Sequence, residues 1–215
     1  MTGMSDVTGL RELKKQATRE RLAHQATVLF IEHGFDNVTI ADVAAAAGVS
    51  KMTVTNYFPL KEDLVFDAYA LVEDSLAAAV RARRPGESVL HGLHRQYLAA
   101  LGGTYPVLTG HSSAGFARLV HESPRLRARE REIDERREEA LAAALAAEDG
   151  AGDADHTRAA AAQLAAAHRV LFRLVRSLVR DGMPQDQTDR RAAAAAAVSF
   201  GLLEPALGDY LVQTA

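Results

Sequence analysis

Apolar residues recur every three to four positions along most of the chain, the period of helices with one buried side. The first stripe, Leu22, Ala26, Leu29 and Phe30, predicts a helix over about Leu13–His33, and residues 1–10 before it read as a disordered arm. Two short stretches follow. Ile40, Val43, Ala44 and Ala47 line one side of the first; Val54 and Phe58 line one side of the second. Val49 and Val54 are spaced to fill the angle between them. Leu64, Ala68, Leu71 and Leu76 predict a long helix from Lys61 to about Val80. Further helices are expected near Ser88–Leu101, Val107–His121, Ser123–Ala147, His156–Arg180 and Thr188–Leu211.

Glycine and proline sit between these stretches. Gly102-Gly103 and Pro106 separate two of them, Ser123-Pro124 reads as an N-cap with proline at the first helical position, and Gly182 and Pro184 join the last two. Pro205 is expected to bend the final helix, because its nitrogen carries no hydrogen for the carbonyl of Gly201. Pro85-Gly86 marks a change of domain. The division expected is an arm at 1–10, a three-helix domain at 11–60, a connecting helix at 61–80 and a second helical domain at 81–215. Alanine dominates and β-branched runs are few, so the fold class expected is all-α.

The chemistry lies in the two short helices. Thr39 can cap the first, with Asp42 three residues on to complete a capping box and complement the helix dipole. Gly48 stands where the chain must turn, most easily at positive φ. Ser50 caps the second helix, whose first turn holds Lys51 and no acid, a combination that favours phosphate. With Val54 and Phe58 inward, Lys51, Met52, Thr53, Thr55 and Asn56 are left outward. Thr and Asn suit base edges, Lys suits guanine or phosphate, and Met52 with the Thr methyls suits thymine methyls. The Tyr57 hydroxyl and the Lys61 amine are candidate phosphate contacts. Such a pair of helices is the plan of a helix-turn-helix DNA reader.

The run from Arg19 through Gly34-Phe35, Thr39-Ile40-Ala41-Asp42-Val43-Ala44, Gly48-Val49-Ser50-Lys51 and Tyr57-Phe58-Pro59-Leu60-Lys61 to Leu64 resembles the N-terminal domain of TetR-type (TetR/AcrR) transcriptional regulators. The resemblance implies a three-helix DNA-binding domain on an all-helical ligand-binding and dimerisation domain. It places the helix from Ser50 in the major groove, with Thr39, Tyr57 and Lys61 on the backbone and Lys51, Thr53, Thr55 and Asn56 toward bases. It also implies a homodimer on a double-stranded, near-palindromic operator, released by a small-molecule effector. Two residues depart from the family pattern. Thr55 stands where an aromatic residue is frequent. Leu60 stands where a capping Ser, Asn or Asp is usual, which forgoes roughly 0.5–2 kcal/mol.

A net charge of −3 is unusual for a nucleic-acid binder, but the charge is unevenly placed. Arg11, Lys14, Lys15, Arg19 and Arg21 crowd the first helix, whereas acids concentrate at 130–139 and 148–155. The N-terminal cluster reads either as a DNA-facing end or as a solubilising terminus. With no cysteine, a disulfide frame and a thiolate metal site are excluded, which fits a cytoplasmic location. No stretch approaches the roughly 20 apolar residues of a membrane span, so no membrane partner is expected.

In the second domain, Ala196, Phe200, Leu203, Leu207 and Tyr210 form one stripe, and Leu164, His168, Leu171, Val175 and Leu178 another. They either bury inside one subunit or build a four-helix dimer interface, the outcome the resemblance favours. A ligand cavity is expected among Tyr97, Leu101, Phe116, Leu119, Val120, Leu171, Phe172 and Val175, each of which also suits ordinary core packing. Arg169, Arg173, Arg176 and Arg180 share one face, facing either an anionic ligand, the acids at 130–139 or solvent. His91 and His94 lie one turn apart without a third ligand nearby in sequence, so no metal and no cofactor are expected. No nucleophile–base pair, carboxylate pair or phosphate loop supports catalysis. The alternative to a regulator is a helical small-molecule-binding protein or enzyme without operator binding.

Overall fold

The computed structural model describes residues 4–150 and 152–213, with side chains from Arg11 onward. Among these residues the regular elements are helical: α1 (Met4–His33), α2 (Ile40–Ala46), α3 (Lys51–Tyr57), α4 (Tyr69–Arg81), α5 (Val89–Ala100), α6 (Ala114–Glu122), α7 (Pro124–Asp149), α8 (Ala154–Arg180), α9 (Gln185–Gly201) and the short α10 (Glu204–Leu207), with single 3-10 turns at Lys61–Leu64 and Pro106–Leu108. The all-α class read from the sequence is what the structure has. Among the described residues no helix is long and apolar enough to cross a membrane.

Two compact units emerge. The first holds the chain up to Asp67 together with Leu119–Arg127; the second holds Ala68–Arg118 and the chain from Ala128 on. This division falls at 67/68, inside the segment expected to form one connecting helix, and assigns Leu119 and Val120 to the unit of the short helices.

The first unit is built around Leu22, Ala26 and Phe30 of α1, Val43 of α2, Val54 of α3, and Phe58 and Leu64, all fully buried. Phe30 and Phe35 pack with ring centroids 5.0 Å apart. The second unit buries Leu76 and Val80 of α4, Leu90 and Leu93 of α5, Leu141 and Leu145 of α7, Leu164, Leu171 and Val175 of α8, and Ala196 and Phe200 of α9 in one cluster. The turn before α5 is held by charge and by the C-terminal segment. Arg95 grips the Glu87 carboxylate at 2.6 and 2.7 Å, which with the Arg84 amide pulls the Glu87 pKa down to about 2. Gly86 donates to the Gln213 carbonyl at 2.8 Å and Gln213 donates back to Glu87 at 3.0 Å.

Four expectations are corrected. Helix α1 begins at Met4, not near Leu13, so the arm expected at 1–10 is helical over 4–10; residues 1–3 lie outside the described residues. Once a helix is nucleated, each added residue needs only one more backbone bond. The helix expected over 61–80 is broken. Leu64, Val65 and Phe66 are consecutive and all buried, and a helix rotating about 100° per residue cannot turn three neighbours to one side. The chain leaves the helix there and restarts at Tyr69, so Val72, Leu76 and Val80 face inward while Leu71 is exposed.

The helix expected over 107–121 is a 3-10 turn, a loop and then α6. Gly110 takes φ +93°, and a Cβ there would meet the Phe172 carbonyl at 2.6 Å. The loop is pinned by His111, whose Nδ1 lies 2.8 Å from the Thr109 hydroxyl and Nε2 3.0 Å from Asp189. Ser113 then caps α6 through the Phe116 amide at 3.1 Å. Lastly, Pro205 does not bend a continuous helix. Helix α9 stops at Gly201, and Pro205 stands in the first turn of the separate α10, where its missing N–H has no carbonyl to serve.

Candidate nucleic-acid interface

Local hydrogen bonds set each end of the short helices. The Thr39 amide donates to Asp42 at 2.8 Å, and the Asp42 amide donates back to the Thr39 hydroxyl at 3.2 Å, completing the capping box. The Thr39 hydroxyl also donates to Asp42 at 2.7 Å, and these bonds hold the Asp42 carboxyl below its usual range. Gly48 takes φ +66°, the left-handed turn that an L side chain resists. Ser50 accepts from the Thr53 amide at 3.0 Å, and its hydroxyl lies 2.8 Å from that of Thr53.

Helix α3 buries only Val54. Lys51, Met52, Thr55 and Asn56 are exposed, Met52 at 72%, while Thr53 and Tyr57 are half-buried. The Thr55 hydroxyl bonds back to the Met52 carbonyl at 3.1 Å and the Thr53 hydroxyl is engaged by Ser50, so both present methyl groups more readily than free donors. Lys51 and Asn56 have no side-chain hydrogen bond or ion pair among the described residues. The free polar groups on this face are therefore the Lys51 ammonium and the Asn56 amide.

Lys61 is placed differently from a free clamp. Its ammonium donates to the Phe35 carbonyl and lies 4.2 Å from the Phe35 ring centroid and 5.4 Å from that of Phe30. Burial pushes its pKa down. It opens a single 3-10 turn rather than a helix. Leu60 offers that turn no side-chain cap, although the Leu60 amide donates to Asp63 at 3.3 Å.

Arg19 has a role that sequence reading missed. Its guanidinium donates to the Tyr57 carbonyl at 2.8 Å and lies 4.3 Å from the Phe58 ring centroid, closing the C-terminal end of α3 with a positive charge. A groove of about 810 Å³ whose lining includes Glu12, Lys15, Gln16, Arg19, Asn56 and Tyr57 adjoins it. The signal in the sequence was the basic cluster of α1, but which member points at α3 depends on the packing of α1 against it.

The residues expected to line a ligand cavity are mostly not brought together around one. A cavity of about 680 Å³ in the second unit includes Tyr97 and, from the predicted interface stripe, His168. Leu101, Phe116, Leu171, Phe172 and Val175 do not line it; Leu171, Phe172 and Val175 are core residues, and Leu119 and Val120 are buried and fall in the first unit. Much of the cavity wall is alanine of α4 and α5, which carries no periodic apolar signal of its own.

The arginine face of α8 pairs with acids. Arg176 meets Glu130 at 2.6 Å and the Tyr69 hydroxyl at 3.2 Å; Arg173 meets Asp134 and Arg169 meets Glu138, each at 3.6 Å; and Arg180 meets the neighbouring Asp181 at 3.0 Å. His91 lies between Ser88 at 2.9 Å and Glu204 at 3.1 Å, whereas His94 stacks on Phe200.

The two stripes expected to meet a second subunit are largely used inside one chain: Ala196, Phe200, Leu207, Leu164, His168, Leu171, Val175 and Leu178 are all buried. Val170 of α8, Val198 of α9 and Leu202 just after it are nevertheless 59%, 63% and 77% exposed.

Comparison with known proteins agrees with this geometry. Residues 22–68 match the family model described as "Bacterial regulatory proteins, tetR family". The HTH-type transcriptional regulator TcmR of Streptomyces glaucescens is 30% identical over 146 residues, 66% of this chain and 65% of its own length, so the match spans just under two thirds of that relative. The nucleoid occlusion factor SlmA of Edwardsiella ictaluri is 30% identical over 178 residues, 78% of this chain and 87% of that protein. Among solved structures, NalD, the secondary repressor of the MexAB-OprM multidrug efflux pump in Pseudomonas aeruginosa, aligns with a TM-score of 0.55 at 20% identity over 86% of this chain and 97% of its own. Salmonella enterica GusR aligns with a TM-score of 0.54 at 19% identity over 89% and 96%. At these identities the structural likeness shows the fold alone.

Proposed function

The chain belongs to the TetR family of bacterial regulatory proteins, and we propose that it is a homodimeric, sequence-specific DNA-binding transcriptional regulator, a repressor released from its operator by a small molecule. The observation that carries this is α3, a capped helix anchored by one buried residue, with Lys51, Met52 and Asn56 outward. In this reading Asn56 reads a base edge, Lys51 meets guanine or phosphate, Met52, Thr53 and Thr55 contact thymine methyls, and Ser50, Thr39 and Tyr57 hold the backbone.

Two copies of α3 about 34–36 Å apart meet successive major grooves of a near-palindromic site. The exposed Val170, Val198 and Leu202 support pairing through α8 and α9. An effector acts only through its different affinities for the DNA-competent and incompetent conformers. TcmR is named as a transcriptional regulator, which supports a role at promoters. SlmA is named as a nucleoid occlusion factor, which favours a second reading: DNA binding that serves the nucleoid rather than a promoter.

The test is selection of bound fragments from random and genomic DNA by the full chain. A near-palindromic motif with half-sites one helical turn apart, recovered at promoters, is the expected result. Recovery of that motif away from promoters favours the second reading, and salt-sensitive binding with no preferred sequence contradicts both.

A further inference from the structure

The cavity in the second unit has a composition that restricts what it can hold. Its walls include Ala70, Ala78 and Ala79 of α4, Ala82 just after it, and Ala99 and Ala100 of α5. Side chains that end at Cβ leave open the space that larger ones would fill. At about 680 Å³ it lies within the range of small-molecule sites, roughly 300–1,000 Å³. Leu71 and Tyr105 stand exposed among its lining residues, and Leu76, Leu93 and Tyr97 are its buried floor.

No lining group is free to neutralise a charged guest. Asp74 is the one carboxylate among the lining residues, and both its oxygens lie within 2.8 Å of the Arg81 guanidinium. Among the described residues no lysine or arginine lines the cavity. His168 is buried, and burial beside Arg137 keeps its imidazole neutral. A charged guest would give up its water for alanine methyls and neutral groups such as Gln96 and Thr104, without gaining a counter-charge.

Neutral hydrogen-bonding groups are present. Tyr97 is 2% exposed and its hydroxyl has no partner among the described residues; the same holds for Nδ1 of the buried His168. Their rings meet edge to face at 5.3 Å, and both residues line the cavity. The Ser75 hydroxyl donates to the Val72 carbonyl at 2.7 Å and keeps its lone pairs as acceptors.

We propose that this cleft binds a neutral, largely apolar small molecule carrying one hydrogen-bonding group, and that it discriminates against anionic analogues of the same skeleton. As an effector site this rests on the regulator reading; the binding itself does not. Tyr97 is the floor residue that the polar group of the guest engages.

The experiment titrates the full chain, without DNA, with N-phenyl-1-naphthylamine and with 8-anilinonaphthalene-1-sulfonate, the same skeleton bearing a sulfonate. Fluorescence is expected to show one neutral probe per chain, bound at least tenfold more tightly than the anion. Ala78→Trp, at an exposed helical position that does not challenge folding, weakens the neutral probe at least tenfold. Ala78→Arg reverses the preference toward the sulfonate. Tyr97→Phe weakens the neutral probe at least threefold, and unchanged binding there overturns the role given to Tyr97. Anion binding equal to or tighter than neutral binding, or neutral binding unaffected by Ala78→Trp, overturns the site. So does a chain that takes up neither probe while Ala78→Trp alters its sedimentation, because the cleft is then closed by a second copy. Probe binding by a chain that selects no DNA sequence keeps this inference and overturns the regulator reading; operator selection without probe binding does the reverse.

Discussion

Arg19 and Tyr57 are 38 positions apart in the chain, yet the Arg19 guanidinium donates to the Tyr57 carbonyl at 2.8 Å while lying over the ring of Phe58. A seven-residue helix has little stability of its own, so closing its last turn from outside matters to α3. Arg19→Ala is expected to cost about 1.5–3 kcal/mol in urea unfolding, the range of a hydrogen bond to a charged group. Binding to every DNA sequence weakens with it, since the whole helix loosens. Arg19→Lys recovers charge but not the stacked planar contact, and is expected to restore less than half of the loss. Unchanged unfolding in Arg19→Ala removes this role.

Lys51 and Lys61 separate by their surroundings. Lys51 is exposed and unpaired among the described residues, so Lys51→Ala is expected to lower the slope of log affinity against log salt by about 1. Lys61 is committed to the Phe35 carbonyl and the aromatic rings, so Lys61→Ala is expected to lower stability by about 1–3 kcal/mol and to change the salt slope less. Equal slope changes in the two variants would place Lys61 on phosphate after all.

Asn56 carries the free amide of the reading face. Asn56→Ala is expected to relax base preference at one position of each half-site by about 1–3 kcal/mol, measured as the ratio of specific to random DNA affinity. A parallel loss on both DNAs would assign Asn56 to the backbone instead.

His168 titrates far below its ordinary value, pushed down to about 3 by burial and by Arg137. Between pH 6.5 and 3 the unfolded chain binds a proton that the folded chain refuses, so this residue lowers stability as the pH falls through that window. The slope from one such group approaches about 1.4 kcal/mol per pH unit. His168→Leu is expected to reduce the acid dependence of urea unfolding between pH 6 and 4 relative to the unaltered chain. Identical pH profiles would show that the imidazole is solvated.

Tyr97 holds a buried hydroxyl without a partner among the described residues, an arrangement that costs about 1–3 kcal/mol. Tyr97→Phe is therefore expected to stabilise the chain in thermal unfolding. A group that lowers stability and lines a cavity fits a binding role rather than a packing one. A destabilised Tyr97→Phe would mean that the hydroxyl is satisfied in solution.

The reading helix was legible from residues close together in sequence. Thr39 with Asp42, Gly48, and Ser50 with Thr53 act across three positions or at a single backbone angle, so their geometry needs little from the rest of the molecule. The break at 65–68 was not legible, because Leu64 and Leu76 both fit one helical stripe and only the burial of Val65 and Phe66 decides against it. The stripes of the last helices raised the same difficulty. Leu164 and Phe200 suit a subunit core and a dimer interface equally, since periodicity reports that a side is apolar and not what covers it.

From its own order of residues this chain determines an all-helical fold, the caps and turn of the short helices, and which side chains α3 keeps outward, because those features follow from backbone bonding and a 3.6-residue period. Tertiary structure alone decided that Arg19 closes α3, that Lys61 turns inward, that the α8 arginines pair with acids, and that alanines of α4 and α5 border a cleft. Each of these joins residues distant in sequence, and burial, ion pairing and cavities exist only once two surfaces are brought together.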